Sequence, residues 1–160
     1  SLPPRFPFVA ARSRFLTKAD PQSLSRDDLS LTVAFLIALA ATLGALFIGE
    51  VLGQMPCTLC WYQRIAMFPL VPILGLSLWR GDGMARTYGL PLAFAGLALA
   101  AWHSGLYAGI LPAPIVPCTE NGPSCTGEAQ MILGLPIPYL SAVAFAAILA
   151  CLILPKGHRP

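Results

Sequence analysis

The chain has 160 residues, 56% of them hydrophobic and 11% charged, with a mean hydropathy of +0.71, a balance that a domain surrounded by water rarely reaches. This argues against an ordinary soluble enzyme and for an all-α integral membrane protein, a helical bundle of about four crossings at roughly 20 residues each, with no room for a second domain. The formal charge of +3 points to no nucleic-acid partner, because the basic residues form neither a dense run nor a patch interleaved with aromatics.

Residues 1–28 carry Arg5, Arg12, Arg14, Lys18 and Arg26 and no apolar stretch long enough for a secretory signal peptide. They are expected to form a polar tail, with the first span acting as its own uncleaved signal. Residues 29–155 read as the membrane domain. Span one, about 31–52, is built on LTVAFLIALAATLGALFIG, 19 residues from Leu31 to Gly49 without a charge, and Asp27, Asp28 and Ser30 ahead of it supply a helix start. After the break EVLGQMP, span two covers about 57–79, with Arg64 its one charge. Pro69 and Pro72 are tolerable there, because neighbouring helices can satisfy the carbonyls that prolines release.

The polar turn from Arg80 to Arg86 leads into span three, about 87–108, where Tyr88 and Tyr107 lie near opposite ends as interfacial aromatics do. The outer loop, 109–137, is expected to be irregular: Pro112 to Pro138 holds six prolines and three glycines and no period that survives them. Span four is about 138–154, and residues 156–160 form a second polar tail. The small-residue spacing in GLYAG reads as ordinary helix packing.

Nine of the ten basic residues, the five in the first tail with Arg80, Arg86, Lys156 and Arg159, fall on one face of a four-span arrangement. The other face has Glu50, Glu120 and Glu128. The positive-inside bias therefore places both termini in the cytoplasm. Cys57, Cys60, Cys118 and Cys125 then face outward, where disulfides form and persist.

The chemistry concentrates in MPCTLCWYQR, Met55 to Arg64. Pro56 suits a helix start, so Cys57 and Cys60 should open span two, where unpaired backbone N–H groups favour a thiolate. Cys57, Cys60 and Arg64 stand at i, i+3 and i+7, one stripe of a helix. Arg64 lies roughly 10 Å along the axis from Cys57, at a depth where a charge is costly unless paired or snorkelled. A thiolate on Cys60, or the polar head of a membrane-soluble ligand, would repay that cost. The alternative is an inert staple beside an arginine that reaches outward, although so short a loop constrains little chain.

Cys118 and Cys125, separated by six residues, form either a structural bridge contributing roughly 2–3 kcal/mol or an exposed, exchangeable disulfide on a mobile arm. Zinc held by the four thiols lacks a second tight pair, and no metal is expected. His103, near the outer end of span three, reads as a packing residue or as a ligand contact. Cys151 reads as a small buried hydrophobe and His158 as part of the tail. Trp61 and Tyr62 read as interfacial anchors, with a ligand cleft as their other possible place.

CTLCWYQR after a first span, a second outward cysteine pair after a third, and CTGEAQMILGLPIP leading into a fourth closely resemble the bacterial disulfide-bond formation protein B family, including its BdbC-type branch. The resemblance spans roughly Leu31 to Leu154. It implies a multi-pass protein of the bacterial inner membrane, with its active cysteines on the periplasmic or extracytoplasmic side. It also implies a thiol:quinone oxidoreductase. A reduced DsbA-like thioredoxin-fold protein would attack a Cys118–Cys125 disulfide through Cys118, and Cys125 would pass the reducing equivalents to Cys57–Cys60 by attacking Cys57. Cys60 would be left as a thiolate facing a quinone from the membrane pool, ubiquinone or menaquinone. Arg64 matches the family's quinone-site arginine, and His103 a histidine at a similar place that would help bind or protonate the quinone.

Only six residues separate Cys118 from Cys125, against a much longer segment in the enterobacterial branch, which bears on whether a disulfide between the two loops forms in the same way. Two other readings are a vitamin-K-epoxide-reductase-like enzyme, in which the C-x-x-C follows the loop pair instead of preceding it, and a non-enzymatic membrane scaffold with two structural disulfides.

Overall fold

In the computed structural model residues 26–112, 131–132 and 134–154 are described. They form four helices, α1 (Arg26–Leu46), α2 (Thr58–Arg80), α3 (Leu90–Tyr107) and α4 (Ile137–Ile153), with π-helical turns at Phe47–Val51 and Ala85–Gly89 and two short strands, β1 (Met131–Ile132) and β2 (Leu135–Pro136).

The helix termini follow from local chemistry. α1 is already helical at Arg26, five residues before the uncharged run, with Asp27 and Asp28 in its first turn, where carboxylates meet the positive end of the helix dipole. Ser30 does not cap it. Its Oγ donates to the Asp27 carbonyl at 3.0 Å, and Thr32 donates to the Asp28 carbonyl at 2.7 Å. α2 contains Pro69 and Pro72 and ends at Gly81, whose φ of 65° is open to glycine at little cost. The buried Ser77 hydroxyl ties this corner together, donating to the Asp82 carbonyl at 2.8 Å and accepting from the Ala85 N–H at 3.2 Å.

α1 packs on α2 and α4, and α3 packs on the same two helices, closing a four-membered ring. The start of α1, the α2–α3 turn and the end of α4 meet at one end, where Asp27, Asp82 and Leu152 line a shared small cavity and Arg86 reaches Asp27 at 3.6 Å. At the other end Tyr107 of α3 meets Tyr139 of α4 edge to face, with ring centroids 5.8 Å apart. The order is therefore up, down, up, down, with Cys57 and Cys60 at the end away from Asp27.

The core is built largely from small side chains, including Ala34, Ala38, Ala66, Ala93 and Ala100, around the larger Leu70, Leu74, Phe145 and Ile148. Small residues let helix backbones approach where van der Waals packing, rather than expulsion of water, drives association. Large apolar side chains point outward on every helix, among them Leu43, Trp79, Phe94 and Val143, an arrangement suited to a hydrocarbon solvent. Three segments, Arg26–Val51, Thr58–Arg80 and Ala85–Tyr107, are long and apolar enough to cross a membrane, and α4 is a shorter apolar helix of 17 residues. At 1.5 Å per residue α4 is about 26 Å long. The chain is thus an all-α, multi-pass membrane protein.

One expectation needs correction. The loop 109–137 is not irregular throughout: Met131 pairs with Pro136 and Ile132 with Leu135 in an antiparallel hairpin, turned at Gly134 with φ 79°. Two-residue strands are too short to leave an alternation in the sequence. Their role is visible in the chain path, since β2 runs directly into α4.

Candidate functional site

Cys57 is the N-cap of α2, with φ −68° and ψ 166°, so its side chain leaves the helical stripe on which the bare spacing would place it. Its Sγ accepts from the Cys60 N–H at 3.3 Å, a cap formed by sulfur in place of the usual oxygen. The sulfurs of Cys57 and Cys60 stand 2.8 Å apart, against the ~2.05 Å of a disulfide bond. They differ in surroundings. Cys57 is 2% exposed, whereas Cys60 is partly exposed and lines a cavity.

Behind Cys57 lies His103 of α3, completely buried. Its Nε2 is 3.9 Å from Cys57 Sγ, and its Nδ1 is 3.1 Å from the side-chain amide of Gln63, itself buried. This amide suits both ring tautomers. With its NH2 toward Nδ1, the ring N–H sits on Nε2 and points to the Cys57 sulfur; with its oxygen toward Nδ1, that nitrogen donates and Nε2 presents a lone pair.

The cavity, about 660 Å³, lies between α1, α2 and α4, within the range of small-molecule sites. Its walls are mostly apolar, from Ile37 and Ala41 on α1, Met67 and Phe68 on α2, and Leu140 and Phe145 on α4, while Cys60, Gln63 and Arg64 bring polar atoms to its α2 side. Arg64 Nη2 donates to the Ala45 carbonyl at 2.7 Å, near the end of α1, and the guanidinium carbon lies 5.4 Å from the Trp61 ring centroid, within cation–π range. Gly49 makes room for it, since a Cβ there would sit 3.3 Å from both Nη1 and Nη2.

Arg64 is therefore held by a backbone carbonyl and an indole face, an anchor the spacing did not reveal. Cys60 and Arg64 share the cavity wall as the stripe implies, whereas Cys57 turns inward to His103. His103 is not among the wall residues and is linked to them through Gln63 and through Cys57, which neighbours Cys60. Trp61 and Tyr62 are half exposed and stand outside the lining, as anchors would. Gln63 was missed by sequence reasoning. Its only signal is a polar side chain three residues beyond Cys60, which means nothing without the histidine on another helix. Cys118 and Cys125 lie outside the described residues, and Cys151 is partly buried on α4 at the opposite end, beside Asp27 and Asp82.

A dithiol with one buried and one partly exposed sulfur, next to an imidazole and opening on an apolar cavity with a fixed cation, can carry thiol–disulfide exchange coupled to a lipid-soluble ligand. Comparison with known proteins bears on the first half of that chemistry. The family model described as "Disulfide bond formation protein DsbB" matches residues 27–155. The chain is 50% identical over 125 residues to a "Probable disulfide formation protein" of Metapseudomonas resinovorans, covering 78% of this chain and 87% of that one. A protein of the same description from Deinococcus radiodurans is 41% identical over 138 residues, covering 81% of this chain and 90% of its own. "Disulfide bond formation protein C" of Bacillus subtilis is 37% identical over 130 residues, covering 81% and 94%. No solved structure matches the chain. Since the family match runs from the first turn of α1 to just past the end of α4, the chain belongs to the disulfide bond formation protein DsbB family, whose role is in disulfide formation.

Proposed function

We propose that the protein is a thiol:quinone oxidoreductase that reoxidises a DsbA-like thioredoxin-fold dithiol protein on the outer face of the bacterial inner membrane. The observation that carries this reading is that Cys60, alone of the Cys57–Cys60 pair, lines the apolar cavity, and does so beside Arg64. The partner's two thiols become a disulfide as the Cys118–Cys125 disulfide is reduced. Cys125 then attacks Cys57 of the Cys57–Cys60 disulfide and Cys60 leaves as the thiolate; Cys118 displaces Cys57 from the resulting mixed disulfide, which restores Cys118–Cys125 and leaves Cys57 and Cys60 reduced. The cavity's lining fits a quinone: Arg64 and Gln63 would hold its polar head with N–H groups, and the apolar walls would take a ring and its isoprenoid tail. When bound, quinone accepts two electrons and two protons. His103 is placed to take or give a proton at Cys57 Sγ, with Gln63 adjusting to either tautomer. A fourth span at α4 and cytoplasmic termini agree with the charge distribution and put the dithiol outside.

Anaerobic mixing of the purified protein, a reduced thioredoxin-fold partner and a short-chain quinone tests this. One quinol per partner disulfide is the expected yield. Partner oxidation without quinol would end the proposal.

Gly49 provides a finer test. Adding a branched side chain by Gly49→Val pushes on the guanidinium and lengthens its bond to Ala45, so quinone KM should rise about 3- to 10-fold, the equivalent of ~0.7–1.4 kcal/mol. In an Arg64→Ala background the same change should add little, because the pair is then already uncoupled. Steady-state kinetics on the four variants read this directly.

A further inference from the structure

The ligand atoms of Cys57, Cys60 and His103 lie within 4.8 Å of one another, and of the three only Cys60 lines the cavity. A tetrahedral zinc site, with Zn–S ~2.3 Å and Zn–N ~2.0 Å, needs sulfur–nitrogen separations of about 3.5 Å and sulfur–sulfur separations of about 3.8 Å. The 3.9 Å between Cys57 Sγ and His103 Nε2 is already close to that. The 2.8 Å between the sulfurs must open by about 1 Å, and Cys60, partly exposed on the cavity side, has room to swing outward. The residue behind the histidine is also of the right kind. A metal-bound imidazole usually donates its other N–H to a fixed acceptor, and the Gln63 side chain, 3.1 Å from Nδ1, supplies one when its oxygen faces the ring. That leaves the Nε2 lone pair directed toward the sulfurs.

We infer that the reduced Cys57–Cys60 dithiol and His103 Nε2 form a three-ligand chelate for a thiophilic divalent d¹⁰ cation, zinc or cadmium, with the fourth position open to the cavity. The two thiols give up their protons as metal–sulfur bonds form, and nothing is oxidised or reduced. The Cys57–Cys60 disulfide offers no thiolate and does not bind, so occupancy traps the reduced state and stops turnover. The inhibition rests on the proposed cycling of this pair between dithiol and disulfide. The binding itself needs neither quinone nor a partner protein.

The test uses a full-length Cys118→Ser/Cys125→Ser variant in detergent, reduced with a phosphine and titrated with cadmium while thiolate-to-metal absorption is followed. One cadmium per chain is expected, with binding lost in an added Cys60→Ser, lost on oxidation of the pair, and unchanged by Cys151→Ala at the far end of the bundle. X-ray absorption on the zinc form, which requires no change at the buried His103, should read two sulfurs at ~2.3 Å and at least one imidazole nitrogen at ~2.0 Å. Absence of saturable binding, survival of binding in Cys60→Ser, or a zinc shell without imidazole would each overturn the site. Turnover of the unmodified chain that continues with zinc saturating the reduced pair would overturn the inhibition while leaving the binding intact. Quinol formation that fails in a metal-free assay would count against the redox reading alone.

Discussion

Arg64→Ala is expected to raise the apparent KM for quinone by about 10- to 100-fold, roughly 1.4–2.7 kcal/mol, the scale of one hydrogen bond from a charged donor. Attack of the reduced partner on the loop disulfide should stay within about twofold, because a guanidinium held at Ala45 is a group for the cavity and not for the loop. Cys60→Ser differs in kind. It removes the sulfur that faces the cavity, so quinol formation should fall by more than about 10³-fold, as it does when a reacting nucleophile is deleted. Stopped-flow measurement of partner oxidation alongside quinol absorbance separates the two steps. Equal losses in both steps for Arg64→Ala would remove the arginine from the quinone site, and retained quinol formation in Cys60→Ser would remove Cys60 from its role.

The second large effect belongs to the α3–α4 contact. Gly96 admits the ring of Phe145, and a methyl group added at Gly96 would overlap it. Gly96→Ala should therefore destabilise by about 1–3 kcal/mol through overpacking, despite the small gain from removing a helical glycine. Phe145→Ala should cost about 3–5 kcal/mol by leaving a cavity. The double variant should be less destabilised than the sum of the two, since the added methyl then occupies space the ring has vacated. Thermal unfolding in detergent measures the coupling, and a strictly additive result would mean the two residues do not share that space. Because Phe145 also lines the cavity, its loss should weaken quinone binding as well.

What could be read from the sequence follows its physics. Uninterrupted apolar runs announce membrane helices whatever their tertiary partners, so the three segments long enough to cross a membrane were legible, and α4 was legible as a shorter apolar helix. The Cys60–Arg64 relationship was legible because i, i+4 on a helix is purely local. Three features were not. The inward turn of Cys57 depends on the non-helical backbone of an N-cap, which a helical wheel ignores. The Gln63–His103 contact joins residues forty positions apart, and neither residue announces the other. The anchor of Arg64 is a peptide carbonyl, and carbonyls carry no letter in a sequence.

That last point has a consequence for how the site tolerates change. A cation balanced by an acidic side chain loses its counterpart through one missense substitution, or through protonation in an acid medium; a main-chain oxygen is removed by neither, although a bulkier neighbour such as a side chain at Gly49 can still push the cation away from it. Its weak point is register. Inserting or deleting a single residue between Leu31 and Ala45 would rotate that oxygen about 100° around the helix axis, so this stretch of α1 should tolerate substitution far better than a change of length.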